Sequence, residues 1–406
     1  MTDAFASAEL HHAPGPRAQG DAAFRVLTPQ DFAAAWDEIT AWQGYAPTPL
    51  LCLPALAERI DVARIDYKHE GPRFGLGSFK ALGGAYAALC EIRRELSQRT
   101  GKSARAEDIR AGRHARQVAQ ITLVSATDGN HGRSLAWGCH RFGARCRIYI
   151  HAQVSEGRAR AMRDLGAEVI RIEGDYDASV ALAREEAAAN GWLVISDTSW
   201  EGYTEAPRDV MAGYGVMTRE TCAAMAAPPT HVFVQGGVGG LAASVAAYLH
   251  QHWGGARPPR VVVVEPDRAA CLHASARAGV QTAVAICEET IMAGLSCGEP
   301  SPMAWAILRE QASDFLTIPD ASVAPAMRLL ARPEGGDPTI EAGESAVAGL
   351  AALIAARADA ALSARLGLSD ASRVLLIGSE GVTDPAIFAA IMADGGPGAD
   401  APTRAP

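Results

Sequence analysis

Ile121-Thr122-Leu123-Val124-Ser125-Ala126-Thr127-Asp128-Gly129-Asn130-His131-Gly132 changes from strand to helix character across a single turn. Residues 121–125 are β-branched and apolar, which suits a strand. Thr127, Asp128, Gly129 and Asn130 are turn formers, and residues 131–142 then read as a helix. Outward from there the chain keeps the same rhythm: strand 145–150, helix 156–165, strand 168–172, helix 178–190 and strand 192–196. Strands alternating with helices predict a parallel sheet covered by helices. The alternation resumes with strand 231–235, a glycine loop, helix 241–250 and strand 261–265. Strand 374–377 then enters Gly378-Ser379-Glu380-Gly381. Ligands in α/β sheets sit at the carboxyl ends of strands. The loops after Ser125, Gln235 and Ile377 all lie at such ends, which points to one shared site.

The chain has 406 residues, 49% hydrophobic and 20% charged, enough apolar material for one large or two ordinary domains. A net charge of −9 and a pI near 5.7 argue against a basic nucleic-acid footprint. No run approaches the ~18–20 apolar residues that span a bilayer. Residues 1–21 have no apolar core behind a basic start, so they do not read as a signal peptide. They are expected to form a mobile tail, as is the Pro/Ala/Gly-rich stretch 395–406. The eight cysteines have no Cys-x-x-Cys spacing, which speaks against zinc and against a secreted disulfide framework. A cytoplasmic enzyme with mostly reduced thiols is the expectation. His11, His12, His151, His231 and His273 show no metal-ligand spacing and read as surface or incidental.

Three motifs carry chemistry, and each has a plainer reading. Gln235-Gly236-Gly237-Val238-Gly239-Gly240 follows a strand and enters a helix, where glycines let backbone N–H groups approach a phosphate. Alone it is equally a tight strand–helix connection, and it lacks the Lys-Ser/Thr of a Walker loop. Lys80 closes Arg73-Phe74-Gly75-Leu76-Gly77-Ser78-Phe79-Lys80 and opens the apolar, Gly-rich helix that continues Ala81-Leu82-Gly83-Gly84. Most lysines are solvated surface groups. Apolar neighbours would instead disfavour the charged amine, which suits imine formation. Asp128-Gly129-Asn130-His131-Gly132 could be a capping turn, or could place a carboxylate for proton transfer. Asp197 holds the corresponding place after strand 192–196, with the same two readings. Gly343-Glu344-Ser345 could be a helix start and Ser379 a turn hydroxyl.

Taken together and in order, Ser78-Phe79-Lys80, Thr127-Asp128-Gly129-Asn130-His131-Gly132, the glycine loop, Gly343-Glu344-Ser345 and Gly378-Ser379-Glu380-Gly381 resemble the fold type II pyridoxal-phosphate enzymes. That superfamily includes tryptophan synthase β, threonine and serine dehydratases, threonine synthase and cysteine synthase. Within it the chain resembles the diaminopropionate ammonia-lyases, from about residue 43 to residue 388. The further segments that carry this are Arg73-Phe74-Gly75-Leu76, Asp197-Thr198-Ser199-Trp200-Glu201-Gly202-Tyr203, Thr290-Ile291-Met292-Ala293-Gly294-Leu295-Ser296-Cys297-Gly298-Glu299-Pro300 and Glu380-Gly381-Val382-Thr383-Asp384. Ordinary dehydratases usually carry Ser-x-Gly-Asn where this chain has Thr-Asp-Gly-Asn.

The resemblance implies an α/β fold of two open, twisted, mostly parallel sheets flanked by helices, with pyridoxal 5'-phosphate in the cleft between two domains. Residues 22–80 with 191–394 would form the large cofactor-binding domain and residues 81–190 a small mobile one. Lys80 would be the imine lysine. Asn130 would bond the cofactor's phenolic oxygen, Gly236, Gly237, Val238, Gly239 and Gly240 would hold its phosphate, and Ser379 would face the pyridine nitrogen. The family often has a hydroxyl residue where this chain has Gly378. Asp128 and Asp197 would be the bases for D- and L-2,3-diaminopropionate, and Ser125, Thr127 and Asp128 would line the substrate. The implied reaction is α,β-elimination to pyruvate and two ammonia by way of aminoacrylate. Alternatives are a lyase for serine, threonine or 3-hydroxyaspartate, and a non-catalytic ligand-binding protein. No regulatory domain is expected after Pro385. A homodimer and a disulfide between Cys271 and Cys297 are implied by the resemblance, and two reduced thiols are the plainer alternative to the latter.

Overall fold

The computed structural model describes residues 5, 10–16, 20–127, 129–254 and 258–393. In chain order the strands are β1 (His12–Pro14), β2 (Leu50–Cys52), β3 (Arg64–His69), β4 (Thr122–Ala126), β5 (Arg145–Ile150), β6 (Glu168–Arg171), β7 (Leu193–Val194), β8 (His231–Gln235), β9 (Arg260–Pro266), β10 (Asp314–Ile318) and β11 (Arg373–Gly378). They form a seven-stranded sheet, β1-β10-β9-β8-β11-β3-β2, and a four-stranded one, β6-β5-β4-β7. The small sheet is parallel throughout. In the large sheet β10, β9, β8, β11 and β3 run parallel, and the short edge strands β1 and β2 run antiparallel. All five residues of β8 are buried, as are six of the seven in β9. Central parallel strands are covered on both faces, so a continuous apolar run such as Val261-Val262-Val263-Val264 replaces alternation.

Four helices position the site: α1 (Lys80–Thr100), α2 (Asn130–Phe142), α3 (Glu205–Ala224) and α4 (Gly240–Trp253). The first half of α1 is buried on every side, and its second half is charged, ending at Gly101 in a left-handed cap. Small residues let its neighbours come close. A Cβ on Gly138 of α2 would lie 2.8 Å from the Ala85 Cα, and one on Gly213 of α3 would lie 2.4 Å from the Leu82 carbonyl oxygen.

Several expectations change. Residues 12–14 are not part of a mobile tail: β1 pairs with β10, Ala13 is buried, and His12 Nε2 meets Asp314 Oδ1 at 2.9 Å. An open β10 edge leaves unpaired backbone groups that this segment satisfies, a long-range pairing to which its Ala/Pro/His composition gives no clue. The small sheet also extends past residue 190, because β7 pairs with β4. The expected C-terminal tail, 395–406, lies outside the described residues. His151, His231 and His273 are buried rather than on the surface, and no group of His, Cys, Asp or Glu among the described residues could hold a metal. None of the eight cysteines, all within the described residues, forms a disulfide, Cys271 and Cys297 included. Among the described residues no single helix is long and apolar enough to cross a membrane.

Candidate active site

Lys80 is held by the chain around it. Phe79 N donates to Ser379 O at 3.0 Å, Gly381 N to Gly77 O at 2.9 Å, and Ser78 and Glu380 form an antiparallel bridge. The segment before α1 is therefore stitched to the segment after β11. From the start of α1 the Lys80 ammonium reaches Asp197 Oδ2, just beyond β7, in a direct ion pair. The two side chains are 19% and 18% exposed, open enough for a ligand and closed enough to weaken screening. Burial by itself would lower the Lys80 ammonium, but the Asp197 carboxylate outweighs it and holds the group above its ordinary value. This corrects the expectation of a disfavoured charge: apolar neighbours were read, and the opposing carboxylate, 117 positions away, was not. Asp197 mirrors it. Burial would raise the carboxyl, and Lys80, with His131 behind it, holds it well below the usual carboxylate range.

His131 on α2 meets Ile195 O through Nε2 at 3.1 Å. A carbonyl only accepts, so Nε2 carries the proton and Nδ1 of the neutral ring presents a lone pair. That atom lies 4.0 Å from Asp197 Oδ2 and has no hydrogen-bond partner. Burial is the main cause that lowers the imidazole below its ordinary value. Tyr214 of α3 packs its ring 4.6 Å from that of Phe79, with its hydroxyl buried and unpartnered.

The turn after β4 brings Asn130 to the same place. Asn130 Nδ2 donates to Glu380 Oε2, and Glu380 Oε1 accepts from Ser345 N at 3.2 Å. Thr127 Oγ1 accepts from Gly129 N at 3.1 Å and Gly132 N at 3.2 Å, so its oxygen holds the turn together and caps α2. Ser125 lies within β4, 1% exposed, its hydroxyl on Ala126 O. Asp128, expected as one of two bases, lies outside the described residues. Ser379 is buried beside Phe79, and Gly378 abuts Tyr67, whose ring and hydroxyl atoms would lie 2.1–2.4 Å from any Cβ at that position. Ser379 is thus the hydroxyl this stretch can offer.

The glycine loop joins β8 to α4. Gln235 Nε2 donates to Ile377 O at 2.6 Å, tying the ends of β8 and β11 together. Gly237 and Gly239 have φ of +64° and +96°, which L side chains rarely adopt, and no side chain caps α4. A Cβ on Gly240 would lie 3.6 Å from Asp197 O, so the loop borders the Lys80–Asp197 pair.

Comparison with known proteins gives the family and the fold. The family model for pyridoxal-phosphate dependent enzymes matches residues 41–379. Diaminopropionate ammonia-lyase of Escherichia coli is 38% identical over 367 residues, 87% of this chain and 88% of that protein. The chain belongs to the pyridoxal-phosphate-dependent diaminopropionate ammonia-lyase family. The E. coli crystal structure with an aminoacrylate–PLP azomethine reaction intermediate superposes with a TM-score of 0.85 at 35% identity, covering 96% of this chain and 98% of that one. The E. coli complex with D-serine gives 0.86 at 34% identity, with the same coverage. The fold is type II, as the sequence reading expected.

The family's cofactor is pyridoxal phosphate, and the residues present fit it. Positive-φ glycines ahead of an uncapped α4 N-terminus suit a phosphate dianion, because the first N–H groups of a helix have no intrahelical acceptor. Lys80, Asn130 and Ser379 stand within one network of contacts through Phe79 and Glu380.

Sequence reasoning missed the buried ion network beneath the Lys80 segment. Arg73 donates to both carboxylate oxygens of Glu70, at 2.9 and 2.8 Å, and of Glu220, at 2.8 and 2.7 Å; Lys68 adds a 2.7 Å bond to Glu220. Arg73 stood in a family-like segment, but nothing in α3 marked Glu220 as its partner.

Proposed function

We propose that this chain catalyses α,β-elimination of D- and L-2,3-diaminopropionate to pyruvate and two ammonia, as a carbon–nitrogen lyase. The observation that carries the reading is the Lys80–Asp197 ion pair at the strand ends, bordered by the glycine loop. Bound pyridoxal phosphate supplies the electron sink for the charge left at Cα when its proton is removed. Lys80 would hold the cofactor covalently, Gly236–Gly240 would take its phosphate, Asn130 its phenolic oxygen and Ser379 its ring nitrogen.

Asp197 is too weak a base while the Lys80 ammonium sits against it. Once Lys80 moves to another partner, burial is the strongest influence left on the carboxyl and, opposed by His131 and a backbone hydrogen bond, moves it up toward the range where it can take an α-proton. The α-protons of the two enantiomers lie on opposite faces, so one base cannot reach both. Asp197 takes that of the L form, and Asp128 that of the D form. Lys80 donates a proton to the β-amino group, whose C–N bond breaks as the Cα–Cβ double bond forms. The released aminoacrylate hydrolyses to pyruvate and the second ammonia. The stretch that follows β4, where Thr127 accepts from Gly129 and Gly132, receives the substrate carboxylate. The enzyme works as a cytoplasmic homodimer, which light scattering tests as twice the 42.5 kDa chain mass.

The experiment is pyruvate and ammonia release from each diaminopropionate isomer, with D-serine, L-serine and L-threonine alongside. Turnover of both isomers at two ammonia per pyruvate is expected, with D128N and D197N each losing one isomer. Turnover of a hydroxy-amino acid alone would overturn the substrate assignment and leave the cofactor in place. The D-serine complex of the E. coli protein makes D-serine elimination the second reading.

A further inference from the structure

We propose that Glu380 is a positioning residue: it fixes the side-chain amide of Asn130 so that one N–H faces Glu380 and the other is left for the cofactor's phenolic oxygen. The inference rests on the assignment of Asn130 as a cofactor contact. Asn130 starts α2, behind the small sheet's β4, whereas Glu380 follows β11 of the large sheet, so their bond spans the two sheets. A carboxylate only accepts, and turning the amide over would set Oδ1 against another oxygen. The acceptor therefore dictates which end of the amide points toward it.

Glu380 is itself immobilised. Its side chain is buried and packs against Gly343, where a Cβ would lie 2.9 Å from the Glu380 Cγ. Its backbone bridges Ser78, and its carboxylate oxygens are divided, Oε1 to Ser345 N and Oε2 to Asn130. A primary amide has two N–H donors. Glu380 uses one and leaves the second unclaimed by the carboxylate.

The division of oxygens makes Glu380→Gln informative. Glutamine has one oxygen, and the immobile Ser345 N–H claims it. The glutamine NH2 then faces Asn130, which must turn its own Oδ1 toward it, and the N–H is withdrawn from the cofactor. Glu380→Ala imposes neither orientation. E380Q, E380A, N130A and the E380Q/N130A double variant are to be compared by cofactor dissociation constant, by the absorbance band of the bound cofactor and by thermal unfolding of the cofactor-free protein. We expect E380Q to bind cofactor about tenfold more weakly, about 1.4 kcal/mol, with a shifted band. E380A should lose less than E380Q, and the double variant should be no worse than N130A. Loss in E380A equal to or greater than in E380Q would overturn the positioning role. So would wild-type affinity and band in E380Q alongside a weakened N130A. An N130A variant with wild-type affinity and band would instead overturn the Asn130 assignment beneath it. Unchanged unfolding temperatures of the cofactor-free variants separate these results from a folding defect.

Discussion

Lys80 and Asp197 determine each other's charge. Without the carboxylate, the factor left acting most strongly on Lys80 is burial, which favours the neutral amine. D197N should therefore lower the Lys80 ammonium value. In the cofactor-free protein, Lys80 should become reactive toward an amine reagent at lower pH than in wild type, as read by mass spectrometry of the Lys80 peptide across a pH series. An unchanged reactivity profile would mean the pair does not control the amine. Both partners occur in motifs visible in the sequence, but their pairing is not, because 117 positions separate them. His131 and Tyr214 illustrate the same limit: an unpartnered buried atom is a property of packing, and no local spacing encodes it.

At the scale of elements, the Arg73 network joins β3 to α3 beneath the site. Arg73, Lys68, Glu70 and Glu220 are buried and balanced in charge. Removing one member leaves an uncompensated charge in a poorly solvated place, so R73A should cost about 3–5 kcal/mol in urea unfolding. A loss below about 1 kcal/mol would mean that water or rearrangement replaces the guanidinium. The glycine loop makes a second element-scale prediction. Ala at 239 would have to adopt φ near +96° with its Cβ 3.0 Å from that of Ala304. G239A should cost about 1 kcal/mol or more and weaken cofactor binding by bending the loop; wild-type affinity by equilibrium dialysis would count against the loop's phosphate role. The loop itself was legible from the sequence because its function is local: a strand, glycines, then a helix. The ion network was not, because charged residues at those spacings are ordinarily solvated.

For the whole molecule, burial couples stability to pH. Glu344 is 5% exposed and pushed up to about 7 by burial and then by the nearby Glu380 charge. Its folded value thus lies above its unfolded one, so its contribution is present at low pH and is lost as pH rises through about 7. From about pH 5 to about pH 8, wild type should lose stability relative to E344Q, measured as unfolding temperature of the cofactor-free protein. A difference that stays constant over that window would rule the titration out. The parallel α/β architecture itself was readable in advance, since alternating strands and helices admit few solutions, whereas its division into two sheets was implied by the family resemblance. The reading placed β5 and β8 at their observed residues. It failed at β1, whose three residues form a strand because β10 offers them an unpaired edge.

By itself the sequence determined the parallel α/β fold, the helix that opens at Lys80, the glycine loop and the turn that carries Asn130. Each is written in short-range periodicity or in backbone conformations that few residues can adopt. The tertiary structure alone decided that Asp197 neutralises Lys80, that Glu380 holds Asn130, that Arg73 and Glu220 meet, and that residues 12–14 close a sheet edge. Those are contacts between distant segments, and their energies depend on burial and on the partner supplied by the fold, neither of which a local stretch of chain contains.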